Sequence, residues 1–398
     1  MLYLHIPYCK QACSYCNFHF STNLKGRKQL LAAMQREMVL REEEISALIP
    51  ETVYLGGGTP SLLTKSELDD LFGVIFKTYT GAELEVGSQV FDQLEITLEA
   101  NPDDLDDATI KRLADSPVNR LSIGLQSFSE EDLRYMNRAH SAQEAKAAIG
   151  NVLKAGFTDL SVDLIYGSPT TNDTVWADNI SRVLDYGVPH ISAYALTVEP
   201  KTALAHQIKT GKSPAPEEGR FAKQFDMLVE RLSLAGYEHY EISNFALPGR
   251  YSRHNTGYWQ GKPYVGIGPA AHSFNGYDQR RWNIANNALY TGQFEALHSW
   301  EDYAKSSGLY TIENLSKANR YNEFVMTSLR TKWGVTIEAL TEKFGADFAE
   351  YFQTSLADSL QHGYFEVQAL KKGIFQLNTQ GRRLADGIAA EAFFIPEM

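Results

Sequence analysis

Residues 4–16 read LHIPYCKQACSYC, and this one stretch holds all three cysteines of the 398-residue chain: Cys9, Cys13 and Cys16. An odd number of thiols at C-x3-C-x2-C is a poor disulfide framework. Residues 1–8 (MLYLHIPY) show no basic region followed by an apolar run and a small-residue cleavage site, so no secretory signal is visible and a cytoplasmic, reducing setting is expected. Clustered thiolates in such a setting read as metal ligands. Structural zinc wants four closed ligands, usually from two separated pairs. His5 or His19 would complete a Cys3His set, but there is no second CxxC. An iron–sulfur cubane ordinarily takes four cysteines. Three leave one iron open to a substrate or cofactor, and S-adenosylmethionine on an iron–sulfur cluster is one recognised route to radical chemistry. The open cluster is the preferred reading and zinc the alternative.

The rest of the composition sets bounds. Hydrophobic residues make up 43% and charged residues 22%, enough to bury a sizeable core and too apolar for a disordered chain. No apolar run approaches the ~20 residues of a membrane helix, so no membrane span is expected. With 37 Lys+Arg against 49 Asp+Glu the formal charge is −12, which argues against nucleic acid as a partner.

Strand patterns recur at Leu2–Ile6, Thr52–Leu55, Leu94–Glu99, Arg120–Leu125, Leu160–Tyr166 and His190–Leu196, each ending in a polar or glycine-rich turn. Helical patterns fill the gaps: Arg27–Ala47, Lys65–Lys77, Asp106–Asp115, Ser141–Lys154 and Asp173–Leu184. Strands alternating with helices imply parallel pairing with crossover helices. Six such units predict an α/β fold, an open or partial (β/α)6 barrel of TIM type, with active-site groups at the C-terminal ends of the strands. Residues 1–240 are assigned to it, and Pro214–Gly219 is the most loop-like connector. Residues 241–300 are aromatic and glycine-rich and are expected to cover the barrel mouth. Residues 301–398 shift to short helices (Arg320–Lys332, Ile337–Phe344, Asp347–His362), two strands (Tyr364–Val367, Ile374–Leu377) and a last helix from Gly381. That order suggests a winged-helix-like α+β module. It carries 7 basic and 10 acidic residues over 321–398, without the basic stripe that DNA needs, so a packing or partner-binding role is preferred.

With the cysteine loop and the barrel pattern in hand, residues 4–16 resemble the cluster loop of radical S-adenosylmethionine enzymes, including the aromatic Tyr15 before the last cysteine. The flanking His-Ile-Pro resembles one branch, the oxygen-independent coproporphyrinogen oxidases and the heme chaperones related to them. The resemblance covers nearly the whole chain. It implies a [4Fe–4S] cluster on Cys9, Cys13 and Cys16. Gly56-Gly57-Gly58-Thr59-Pro60 follows a strand and alone is a sharp turn. It is neither a P-loop nor G-x-G-x-x-G. Beside the cysteine loop it resembles the family's glycine motif, implying that Gly57, Gly58 and Thr59 hold the amino end of S-adenosylmethionine. Polar residues at strand ends are common, and each of the next is weak alone. As a set they resemble the family's cofactor site: Glu99 for the ammonium, Arg138 for the carboxylate by bidentate pairing, Asp163 for ribose hydroxyls, with Gln126, Tyr3 and Thr197 as further matches.

His254-Asn255-x-x-Tyr258-Trp259 is the second distinctive cluster. A loop histidine among aromatics is most often simply packed, yet imidazole also ligates heme iron and aromatics offer a porphyrin a flat bed. The segment resembles a motif of the chaperone branch associated with heme, implying His254 as ligand with Asn255, Tyr258 and Trp259 in support. His272, in GIGPAAHSF, is the runner-up. Two departures separate the chain from the oxidases. They resemble it but carry a further cysteine where Phe18 stands, and an N-terminal extension before the cluster loop. Both disfavour the oxidative decarboxylation of coproporphyrinogen III to protoporphyrinogen IX, which stands as the alternative, and enzyme status is left open. The expectation is a heme-trafficking protein that passes heme to an acceptor protein and draws on an electron donor.

Overall fold

The computed structural model describes residues 1–49, 51–80 and 93–396. Its core is one open sheet whose strands begin with β1 (Leu2–Ile6), β2 (Thr52–Gly57), β3 (Glu95–Ala100), β4 (Arg120–Gln126), β5 (Leu160–Tyr166) and β6 (His190–Ala195). These six lie in chain order and all pair in parallel. Consecutive parallel neighbours joined by crossovers of one hand put every helix on the same face, so the sheet curls into an arc. Beyond β6 it is extended antiparallel by β8 (Asn244–Ala246) and β7 (Glu238–Glu241). Beside β1 it gains the parallel β9 (Val265–Ile267). No closed barrel forms; the sixfold arc expected from the strand pattern is open.

Alternation divides the labour of each strand. Leu4, Leu55, Leu98, Leu121 and Leu160 are register partners across five strands, and all are fully buried. The intervening positions carry Tyr3, His5, Tyr54, Glu99, Ser122, Asp163 and Ser192. One face therefore packs helices and the other is polar.

The strand boundaries expected from sequence agree within two residues. Three departures have local causes. The single helix expected over Arg27–Ala47 is two, Arg27–Leu40 and Glu42–Ser46, broken at Arg41 (φ −105°, ψ 21°). Arg41 turns inward, fully buried, and donates to Glu37 Oε1 (2.8 Å), the Gly266 carbonyl (2.8 Å) and Ser273 Oγ (3.1 Å). Glu37, also fully buried, accepts from Gly268 N (2.9 Å), Asn283 Nδ2 (2.8 Å) and the Tyr290 hydroxyl. Asp347–His362 likewise splits at Leu356 into Ala346–Ser355 and Ala357–Gln361. Tyr364–Val367 is not a strand. Phe365 makes a lone bridge to Leu377, and a short helix starts at Val367. The ring of Phe365 is buried against Phe375 without needing a ladder.

A three-stranded antiparallel sheet follows β9: β10 (His272–Phe274), β11 (Gln279–Asn283) and β12 (Tyr310–Asn314). The C-terminal helices form their own apolar cluster, from Tyr321 to Ala392, with a two-stranded sheet of β13 (Val335–Thr336) and β14 (Ile374–Phe375). Among the described residues no helix is long and apolar enough to cross a membrane.

Removing one partner of a buried ion pair strands the other charge, at a cost of about 3–5 kcal/mol. Arg41→Ala should lower stability by that order in chemical denaturation, and Glu37→Gln with Arg41→Met should recover part of it. An unchanged midpoint for Arg41→Ala would remove the network from the account of the fold.

Candidate functional site

The three cysteines sit on a loop without regular structure, between β1 and the helix from Arg27. Backbone bonds hold it in place. Gly58 N donates to the Ile6 carbonyl (2.8 Å), Thr59 N to the Tyr8 carbonyl (2.7 Å), Ser14 N to the Met136 carbonyl (3.0 Å) and Leu204 N to the Ser14 carbonyl (2.7 Å). Gly58 is required by close approach: a Cβ there would lie 2.7 Å from Ile6 O and Tyr8 N. Gly57 has φ 103° and donates its N–H to Glu99 Oε2 (3.0 Å). The N–H groups of Gly57, Gly58 and Thr59 are thus spent within the protein. What remains toward an ammonium ion is acceptor chemistry, led by the Glu99 carboxylate.

Cys9, Cys13 and Cys16 are all free and partly exposed. Burial, with the neighbouring thiols, pushes Cys9 up to about 11 and also raises Cys16. Metal binding must therefore displace protons. A single zinc ion finds no set here: among the described residues no three His, Cys, Asp or Glu are grouped to hold one ion. Of the two histidines beside the loop, His5 has no free ring nitrogen. His5 shares Nδ1 with the Tyr3 hydroxyl (3.1 Å) and Nε2 with the His19 carbonyl (2.9 Å), while His19 Nε2 meets Asn287 Oδ1 (2.7 Å). Three thiols on one loop, without a fourth cysteine in the chain, suit a cluster that keeps one iron open.

The other expected residues converge beside the loop. Arg138 donates through Nη1 to Cys13 Sγ (3.2 Å) and through Nη2 to Asn101 Oδ1 (2.6 Å) and the Gly124 carbonyl (2.7 Å). It makes no ion pair among the described residues, and its buried Nε has no partner. Gln126 holds φ 64°, a strained setting for a residue with a side chain, and its buried Oε1 is also unpartnered. Gly124 makes room for both: a Cβ there would lie 3.0 Å from Gln126 Nε2 and 3.2 Å from Arg138 Nη2. Asp163 is the register partner of Gly124. Burial, with some repulsion from Asp163, pushes Glu99 up to about 7, and burial pushes Asp163 up to about 6. Among the described residues Glu99, Asp163 and Arg138 make no ion pair, though Arg120 and Arg138 act on Asp163 at longer range, so the donor set fits the ammonium and carboxylate of an amino-acid-bearing cofactor. Thr197 stands apart, exposed beyond the end of β6. Two contributors escaped the sequence reading. Tyr54 donates to Glu99 Oε1 (2.8 Å), and Asn101 bridges Thr59 Oγ1 (3.0 Å) and Arg138. Their signal was position, Tyr54 two residues before the glycine run and Asn101 two after Glu99.

His254 is placed differently from expectation. It is 1% exposed, its Nδ1 is 2.7 Å from Thr52 Oγ1, and its Nε2 is 2.9 Å from the Tyr258 hydroxyl. Its ring lies 5.0 Å from that of Tyr54. The backbone N–H groups of Arg253 and His254 are capped by Glu95 (2.8 and 2.9 Å). Burial drives the imidazole down to about 3, hence neutral. In this arrangement neither ring nitrogen is open to an iron, and the motif anchors its helix to β2 and β3. Asn255, Tyr258 and Trp259 do line a cavity of about 1720 Å³ that also reaches Tyr3 and Asn17–His19 of the cluster loop. Phe18 is 70% exposed.

The model of the radical SAM superfamily matches residues 3–183, and that of the HemN C-terminal domain matches residues 315–384. The chain is similar to a heme chaperone HemW of Mycobacterium tuberculosis (32% identity, covering 97% of this chain and 93% of that protein). It is also similar to the heme chaperone HemW of Lactococcus lactis (31% identity, 89% and 88%). In structure it resembles the coproporphyrinogen III oxidase HemN of Escherichia coli, a radical SAM enzyme, with TM-score 0.80 at 22% identity over 98% of this chain and 89% of that one.

A carboxyl whose folded pKa is raised stabilises the fold below its unfolded pKa, and that contribution is lost as pH rises through the folded value. For Glu99, raised from 4.5 to about 7, the loss falls between about pH 4.5 and 7. Ligand-free Glu99→Gln should therefore be stabilised relative to the parent above pH 7, with the advantage shrinking as pH falls to 4.5. Urea midpoints across that range check it, and parallel profiles would refute it.

Proposed function

The chain belongs to the HemW/HemN-like radical SAM family, and from that premise we propose that it is a cytoplasmic heme-trafficking protein that binds one heme and delivers it to an acceptor protein. The observation that carries this reading is the cavity of about 1720 Å³. Small-molecule sites usually span about 300–1,000 Å³. This one is larger, with room for a tetrapyrrole, and combines Tyr258, Trp259 and Trp333 with Arg280, Arg320 and Arg330. Flat rings meet a macrocycle and cations meet its propionates.

Membership of the family implies S-adenosylmethionine and a [4Fe–4S] cluster. Cys9, Cys13 and Cys16 would hold the cluster. Glu99 would take the cofactor's ammonium group, Arg138 its carboxylate and Asp163 its ribose, with Gly57, Gly58, Thr59, Gln126 and Tyr3 around them and Thr197 set apart. When bound, the pair supplies one-electron chemistry from an electron donor. The protein's own part is placement: Arg138 holds a cation against Cys13, and Gln126 and Asn101 fix polar atoms beside it. In domain terms we assign residues 1–240 to the arc that holds this site, 241–300 to a segment that adds β8 and β9 to its sheet and reaches over its mouth, and 301–398 to a partner-facing module.

Anaerobic cluster reconstitution, then heme titration and separate incubation with coproporphyrinogen III, S-adenosylmethionine and reductant, tests the reading. The expected result is a Soret band saturating at one heme per chain without porphyrinogen turnover. Cys13→Ala should lose the cluster's absorbance while keeping the far-UV spectrum of the parent. Turnover with release of carbon dioxide would overturn the proposal in favour of the oxidase activity.

A further inference from the structure

The cavity's histidines are not equivalent. His5 has both ring nitrogens engaged, and His19 has Nε2 engaged. His254 is not among the lining residues, and both its nitrogens are used. His272 is different. It is exposed, makes no side-chain hydrogen bond among the described residues, and lines both the large cavity and an adjoining one of about 320 Å³.

Its neighbours are fixed while it is free. Ala271, just before β10, and Ser273, on it, are buried, and Ser273 Oγ receives Gly266 N (3.0 Å) and Arg41 Nη2 (3.1 Å). Alternation turns His272 to the opposite, cavity face. Its ring stacks on Trp282 at 5.8 Å and 24°, and two residues upstream Ala270 holds φ 60°. A non-glycine residue in that region costs energy and persists where the surroundings impose it, often beside a functional group.

Two cations that line the cavity make no ion pair among the described residues, Arg320 and Lys343, and Lys343 Nζ lies 5.6 Å over the Phe324 ring. Arg280 pairs with Glu323 (2.7 Å) and Arg330 with Asp386. Arg320 makes no ion pair among the described residues. Its guanidinium lies 4.2 Å over the Tyr277 ring, and its buried Nε has no partner.

We propose that His272 ligates the heme iron and that Arg320 receives a propionate, so the tetrapyrrole is held at two points between the main sheet and the C-terminal module. This rests on the heme-binding reading above and names the residues of that site. Partial burial against the cavity wall and the nearby Arg280 lower the pKa of His272, and the neutral imidazole is the form that binds iron.

The test uses full-length parent, His272→Ala, His254→Ala and Arg320→Gln, each titrated with hemin and with iron-free protoporphyrin IX. His272→Ala should shift the Soret band and weaken hemin at least about tenfold, the effect of losing one strong polar contact. It should leave iron-free porphyrin unaffected, and added imidazole should restore the parent spectrum. Arg320→Gln should weaken both porphyrins by similar factors. His254→Ala should keep the parent Soret position even if it is less stable. A parent-like spectrum and affinity in His272→Ala would overturn the ligand assignment, as would loss of the spectrum in a folded His254→Ala. Equal affinity of Arg320→Gln would overturn the propionate contact. If the parent binds neither porphyrin, the heme-binding reading itself fails.

Discussion

The constraint on which the site depends is the contact between two stretches that have no side chains to spare: the glycine turn after β2 and the start of the cysteine loop after β1. Gly58 can be nothing larger, because Ile6 O and Tyr8 N occupy the space a Cβ would need. The loop has no regular structure of its own, so its thiols are positioned by backbone bonds to residues far away in sequence, near 59, 136 and 204. Such a loop is only as precise as its anchors, and here the anchors are strand ends and helix termini that the sheet already fixes.

That sheet separates stability from chemistry. Its outer face is a row of leucines at one register level, the kind of continuous apolar surface that packs crossover helices. The inner face is left to groups that are poorly satisfied in isolation. Glu99 and Asp163 are both pushed toward neutrality by burial, while Arg138, a few residues away in space, has no carboxylate. Burying such groups is unfavourable unless something complements them. The charges are unbalanced in the pattern of a ligand that carries an ammonium and a carboxylate together. Hydrogen bonds within the protein fix Glu99 and Arg138, which is the sense in which the site is preorganised.

Much of this was legible in the sequence because it follows period-two patterning and local punctuation. The six strands and their turns announced themselves, and the C-x3-C-x2-C spacing lies within one loop. What was not legible depends on contacts between distant residues. Nothing in the helix-forming run Arg27–Ala47 reveals that Arg41 turns inward to meet Glu37 and Gly266. Nor does His254-Asn255-x-x-Tyr258-Trp259 reveal that the imidazole is closed off by Thr52, about 200 residues earlier. An aromatic, histidine-bearing motif looks the same whether its histidine faces a ligand or a hydroxyl. His272 carried a weaker local signal, yet only the fold shows that it alternates away from a locked Ser273.

Net charge illustrates the same division between global and local quantities. At −12 the chain as a whole repels a molecule with two propionates. At physiological ionic strength, however, charges beyond about 8 Å are largely screened, so the overall balance bears on approach more than on residence. The cations that line the cavity are Lys343 and three guanidiniums, and two of the guanidiniums already have carboxylate partners. The third rests on an aromatic face, a placement that keeps a cation partly desolvated without neutralising it. A carboxylate that reaches it gains a charge-assisted bond where water competes least. An acidic protein can hold an acidic tetrapyrrole on that basis, provided the unpaired arginine is where the ring's periphery falls.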